Sequence, residues 1–306
     1  MNSSTKYISL LVVLILAISL SACQQATQTP LAKPEILATE EPVEQILTPE
    51  NTEAEVAAET PTASPTPHSL PTDIIDAKGV TMRLVQAGPF AMGSDEQGHG
   101  PVHQVSLPDY YMDMYEVTNA LYKACVEDDG CTPAEEPGWL DDERFSGYPV
   151  FGVDWEQAQQ FCQWRGARLP TEAEWEKAAR GTDARTYPWG EGFDCQMANV
   201  GCVGFLSPVG SYPQGVSPYG LHDLAGNAWE WVADWYDHTY YDTLPENAFN
   251  PQGPESGEYR VARGGHWALD TRAARSFNRG GMPPDIRGAS VIGIRCALSS
   301  PLVASP

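Results

Sequence analysis

Residues 24–72 cannot belong to a packed core. The stretch holds eight Pro and eight Glu against one Lys, has no Gly and no aromatic residue, and repeats Thr-Pro and Ser-Pro steps up to Pro71. It has too little apolar surface to offset the entropy of ordering its backbone. Folding in this chain of 306 residues is therefore confined to residues 73–306, the length of one large domain or two ordinary ones. The stretch reads as a disordered tether. A flexible chain of this length spans ~40 Å, and its prolines and like charges extend it further.

The 22 residues ahead of Cys23 read as a signal peptide. Lys6 precedes an uncharged run from Tyr7 to Leu20, and Leu20-Ser21-Ala22-Cys23 closes it. The run is shorter than the ~20 apolar residues a membrane-spanning helix needs, and small residues lead to a cysteine, as in a bacterial lipoprotein signal. Cys23 is the expected mature, lipidated N-terminus, and residues 23–72 its tether. The competing reading, an uncleaved anchor with an incidental cysteine, also leaves the rest of the chain outside the cytoplasm. Gln24 after the cysteine favours the outer membrane if the envelope has two.

With 18 Lys plus Arg against 41 Asp plus Glu, the formal charge is −23, of which −17 falls in residues 73–306. Such a field repels phosphate backbones, so nucleic acid is excluded as a partner. Aromatic residues make up 10% of the chain, with nine Trp, beside 27 Gly and 26 Pro. That composition points to a turn-rich globular domain rather than a helical bundle.

Once Cys23 is assigned to lipid, six cysteines remain in an oxidising compartment, an even number with fifteen connectivities. Cys125 with Cys131 and Cys195 with Cys202 each enclose a short turn-like stretch and pair locally, which leaves Cys162 with Cys296. A zinc site is disfavoured because no CxxC or Cys/His spacing occurs. Downstream of Asp73 the chain reads as short strands and a few helices, with no repeat and no strand-helix alternation. Met82–Val85 and Phe90–Met92 read as a hairpin turned at Ala87-Gly88-Pro89. Thr118 caps a helix running towards Cys125. Asp154 starts a second helix with Cys162 on its buried face. Thr171 and Glu174 form the capping box of a third, which Gly181 stops.

These segments resemble the formylglycine-generating enzyme, or sulfatase-modifying factor, family over nearly all of residues 80–298. The marks are Gly88-Pro89-Phe90-Ala91-Met92-Gly93, Tyr115-Glu116-Val117-Thr118-Asn119, Arg168 through Glu176, Tyr187-Pro188-Trp189-Gly190, Gly226-Asn227-Ala228-Trp229-Glu230-Trp231, Arg263-Gly264-Gly265 and Gly293-Ile294-Arg295-Cys296. The resemblance implies a compact α/β (α+β) domain with a C-type-lectin-like core and little regular secondary structure. It also implies a disulfide between the positions of Cys162 and Cys296.

The family's oxidase binds copper(I) through two cysteines five positions apart. Matched from Gly293–Cys296 and Pro284-Asp285, those positions fall at Thr271 and Ser276, and no cysteine stands anywhere from 203 to 295. Hydroxyls do not replace thiolates for a soft metal, so copper and formylglycine formation are not expected. Calcium is expected, because the family's pattern stands at Asp223, Gly226, Ala228 and Glu230, a mix of carboxylates and backbone carbonyls suited to a hard cation. The family's other calcium site matches at Asn199 and Val200 but lacks its acidic partner where Gly204-Phe205-Leu206 stands.

Other chemistries fare worse. His222, His238 and His266 show no metal spacing and read as surface or hydrogen-bonded core histidines. The helical domain that supplies a histidine triad in ergothioneine-type sulfoxide synthases is absent, and there is no serine-nucleophile elbow or phosphate-cradling loop. Residues 260–295 hold seven Arg and only two acids, Asp270 and Asp285. Either these Arg pair with acids elsewhere in the domain, or several line a groove for an extended peptide or anionic ligand. Trp267, Arg272, Arg275, Phe277 and Arg279 are the candidates for such a groove. The expected function is a membrane-anchored, non-oxidase binding or assembly module for a peptide or exported protein. The alternatives are an oxidase that matures exported sulfatases and an enzyme of altered chemistry in the same groove.

Overall fold

The computed structural model describes residues 70–300 apart from 97, 136 and 288–290. The signal, Cys23 and the tether lie outside the described residues. Three small sheets surround one buried helix. The first sheet has the order β1 (Asp73–Ile75), β2 (Thr81–Val85), β5 (Tyr110–Asp113), β11 (Ala297–Ser299). The second runs β10 (Ile292–Gly293), β6 (Trp229–Trp235), β8 (Arg260–Arg263), β9 (Arg279–Met282), and the third β3 (Gly88–Met92), β4 (His103–Leu107), β7 (Asn247–Phe249). No helix among the described residues is long and apolar enough to cross a membrane.

The three longest helices form where their caps stand. Helix α1 (Asn119–Glu127) begins at Thr118, whose hydroxyl accepts the Leu121 N–H. Helix α2 is the short turn Pro137–Asp141. Helix α3 (Trp155–Trp164) begins at Asp154, which exchanges side-chain and backbone hydrogen bonds with Gln157. Helix α4 (Glu172–Arg180) has the reciprocal box between Thr171 and Glu174 and ends at Gly181, φ +67°. A short helix, α5 (Tyr240–Thr243), leads to β7.

Every residue of α4 is buried, including Glu172, Glu174, Glu176, Lys177 and Arg180. Buried charge requires partners, and each of these residues has one. Arg168 takes Glu174, Arg180 takes Glu176, and Arg263 takes both Glu172 and Glu176. Lys177 Nζ donates to the carbonyls of Gln86 and Gly88, at 2.7 and 2.8 Å. That capture overturns the expected hairpin. Strands β2 and β3 exist, but they lie in different sheets and do not pair. Lys177 and Asp109, whose carboxylate accepts the Ala87 N–H, hold the connection so that the chain crosses between sheets instead of folding back.

All three disulfides form as expected: Cys125–Cys131, Cys195–Cys202 and Cys162–Cys296, the last across 134 positions with Cα atoms 5.6 Å apart. Cys162 and Cys296 are fully buried, and their bond ties α3 to the stretch leading into β11.

Candidate functional site

The Tyr115-Glu116, Gly226–Trp231 and Ile294-Arg295 segments meet in one buried cluster of charge. Glu116, between β5 and α1, accepts the Asn227 side-chain amide at 2.6 Å and the Ala228 backbone N–H at 3.0 Å. Glu230, near the start of β6, holds Arg295 through contacts of 2.7–3.0 Å and also accepts the Trp175 indole N–H at 2.6 Å. Arg295 completes its bonds on the carbonyls of Asp113 and His222. Asp223 accepts the Gly210 N–H at 2.6 Å.

Three buried carboxylates thus share one guanidinium. Burial, with Asp223 and Glu230 nearby, holds the Glu116 carboxyl well above the usual range. Burial also pushes Asp223 up to about 6, against the pull of the Gly210 amide and Arg295. Both shifts favour the protonated forms of Glu116 and Asp223.

That arrangement decides how the two expected calcium positions fit a cation. Within the expected set Asp223, Gly226, Ala228 and Glu230, both oxygens of Glu230 already accept from Arg295 and Trp175, and Asp223 accepts from Gly210. Among the described residues no group of three or more His, Cys, Asp or Glu could hold a metal ion. Asn199 behaves differently. Its amide nitrogen donates to the Phe205 carbonyl at 2.7 Å, whereas its Oδ1 is buried without any hydrogen-bond partner. An orphaned buried oxygen, on the residue next to Val200, suits a hard cation. Gly226 bridges to Asn199, and a Cβ there would stand 2.3 Å from Val200 Cγ2 and 2.4 Å from the Asn199 carbonyl, so this close approach requires glycine.

The two hydroxyls at the family's cysteine positions lie in different surroundings. Thr271 opens a 3-10 turn, Thr271–Ala274, and its carbonyl accepts the Tyr187 hydroxyl at 3.2 Å. Ser276 is fully buried, its amide bonded to the Thr186 carbonyl and its hydroxyl without a partner.

Of the seven Arg in 260–295, six pair with carboxylates. Arg263, Arg279 and Arg295 do so in the interior, Arg287 with Asp154, Arg272 with Asp270 and Arg275 with Glu96. The internal-pairing expectation therefore accounts for most of the segment. Two groove candidates leave the surface: Arg279 is committed to Glu172 at 2.6 and 2.8 Å, and Phe277 is 5% exposed. Arg272, Arg275 and Trp267 remain accessible.

Trp267 is joined to aromatic residues that sequence reasoning did not single out. Its ring lies 5.8 Å from Phe205, which stacks 5.2 Å from Trp139, itself 4.2 Å from Phe145 and 5.5 Å from Phe151. Their only signal in the sequence is aromatic residues recurring within loop-like stretches. Of the three histidines, His222 packs against Tyr115 with ring centres 4.7 Å apart and planes tilted by 31°, His266 is half-buried, and His238 is exposed beside Asp237.

Residues 72–300 match the sequence profile of the sulfatase-modifying factor enzyme 1-like domain. The chain is 36% identical over 239 residues to the serine/threonine-protein kinase pkn1 of Chlamydia caviae, covering 71% of this chain but 37% of the kinase. It therefore spans little more than a third of that relative's length. Over 283 residues it is 32% identical to the mouse formylglycine-generating enzyme, covering 70% of this chain and 73% of the enzyme. Among solved structures, PvdO from Pseudomonas aeruginosa superposes with a TM-score of 0.63 at 28% identity, covering 75% of this chain and 98% of PvdO.

Proposed function

This chain belongs to the sulfatase-modifying factor enzyme 1-like family, and within it we propose a non-oxidase member, a lipid-anchored extracytoplasmic module that holds a peptide or an exported protein. One observation carries the proposal: all six cysteines from 125 to 296 are consumed in disulfides, so the described domain offers no thiol. Copper(I) chemistry of the family's kind needs thiolates. Thr271 and Ser276 supply hydroxyls, and that of Ser276 is sealed from solvent. The accessible Trp267–Phe205–Trp139 aromatic run, with Arg272 and Arg275 accessible in the same stretch of chain as Trp267, is the surface offered to a peptide. Calcium enters the proposal at Asn199 and Val200, where a hard cation would brace the 199–207 stretch.

The pkn1 relatives favour the module reading, since a domain like this one takes up about a third of a longer chain there. The 32% identity to a formylglycine-generating enzyme favours oxidase activity instead. One experiment separates them: copper(I) titration of the purified protein, followed by aerobic incubation with a Cys-x-Pro-x-Arg peptide. The expected result is no stoichiometric copper uptake and no peptide mass loss of the formylglycine type. Stoichiometric uptake with that mass loss would restore the oxidase.

A further inference from the structure

Arg260 is the exception among the seven arginines. It has no carboxylate within ion-pair distance among the described residues, and it lies between two indoles, with its guanidinium carbon 3.6 Å from the ring centre of Trp155 and 3.5 Å from that of Trp235. Trp155 opens α3 and is fixed by its Nε1, which donates to the Val232 carbonyl at 2.8 Å. Trp235 ends β6 and faces Arg260 across the β6–β8 ladder. Nη1 of Arg260 donates to the Ala233 carbonyl at 2.6 Å, and its Nε is buried with no acceptor. Burial lowers this guanidinium to about 10, so it stays charged at neutral pH with donors to spare.

The sandwich forms a wall of an open hollow of about 450 Å³, which Glu156, Gln159 and Asp285 also line. A smaller hollow of about 120 Å³ shares Trp155 and Gln159 with it and is also lined by Gln163 and Gln252. The larger hollow is a trough in the size range of small-ligand sites. It shares no residue with the Trp267 run.

Three ligand chemistries can be weighed against this lining. A polyanion meets three carboxylates, Asp154, Glu156 and Asp285, against two guanidinia, of which Arg287 is already bonded to Asp154. It also meets a domain of net charge −17. A cationic side chain drawn to the indoles meets Arg260, already seated between them. An uncharged polyhydroxylated ring suits every element. Its C–H faces pack on indole edges, its hydroxyls donate to Glu156 and Asp285, and they accept from Arg260 and the Gln159 amide, which also accepts in return.

We propose that the trough around Trp155, Trp235 and Arg260 is a binding site for a neutral oligosaccharide. The test is calorimetric and tryptophan-fluorescence titration of the full-length protein with maltotriose, cellotriose, chitotriose and, as the anionic counterpart, trigalacturonate. At least one neutral trisaccharide should bind saturably, one per chain. Gln159→Ala and Asp285→Ala, both away from the sandwich, should each weaken it about fivefold, the worth of one hydrogen bond, with melting temperature unchanged. Thr271→Ala should leave saccharide binding intact, so this outcome and that of the copper assay are independent. No response to any neutral trisaccharide overturns the proposal. So do tighter binding of trigalacturonate, preference for a Lys- and Arg-rich peptide, and indifference of both trough variants.

Discussion

Asn199 and Glu230 carry opposite lessons about a single oxygen. Glu230 looks like a metal ligand in sequence and is spent on Arg295, while Asn199 Oδ1 is buried and unpaired. A calcium-binding protein should therefore lose stability under chelation through Asn199. A ligand at a hundredfold its dissociation constant contributes ~2.7 kcal/mol, about 5–10 °C for a domain of this size. Differential scanning calorimetry with and without chelator should show that shift in the native protein and in Asp223→Asn, and none in Asn199→Ala. The reverse pattern would return the ion to the Asp223 side. Asp234 belongs to the buried charge around α4, where burial, then the neighbouring Glu172, pushes it up to about 8. Its unfolded carboxyl releases the proton near pH 4, so between about pH 4 and pH 8 the native state holds one proton more than the unfolded state. Stability from this group is complete below pH 4 and falls as pH rises towards 8, by about 1.4 kcal/mol per pH unit while the difference is complete. Urea midpoints measured from pH 5 to pH 9 should fall, and Asp234→Asn should flatten the slope. An unchanged slope in the variant would remove Asp234 as its source.

At the scale of elements, legibility followed the range of the interactions that decide each feature. Thr118, Asp154 and Thr171 marked three helix starts because a cap is satisfied within three residues. The supposed hairpin at Ala87-Gly88-Pro89 failed because its fate depends on Lys177, some 90 residues away. The arginine segment was visible as a count, but Arg263, Arg279 and Arg295 find their carboxylates on α4 and β6, at separations that no local pattern encodes. The Arg260 sandwich was hidden for the same reason, since its two indoles come from α3 and β6. Cys162–Cys296 links two such distant elements. By the chain-entropy treatment, closing a loop of this length is worth about 4 to 5 kcal/mol. The Cys162→Ala, Cys296→Ala double variant should lose stability of that order in guanidinium unfolding, far more than the corresponding Cys125 and Cys131 pair. Equal losses would mean the long loop is already restrained in the unfolded state.

For the whole molecule, the expectation with the widest reach is attachment. Cys23→Ser should move the protein from the membrane fraction to the soluble one, and mass spectrometry should find acyl chains on the native N-terminus alone. Identical fractionation without any acyl chain would end the lipoprotein assignment. Family membership and the α/β architecture were legible from seven short motifs because each is a packing or capping device that recurs intact. The candidate site was legible only in part, because burial and charge pairing decide which residues of a motif face a ligand. Strand β11 has a further consequence. It pairs with β5 through Ala297, Leu298 and Ser299 while Ala297 also bridges Arg168, so the last described strand completes the sheet that the first strand begins. A chain synthesised N-terminus first must hold its first sheet one strand short until residues 297–299 have been added. Closure of that sheet is therefore a late event in folding, and until it happens β5 presents an open edge.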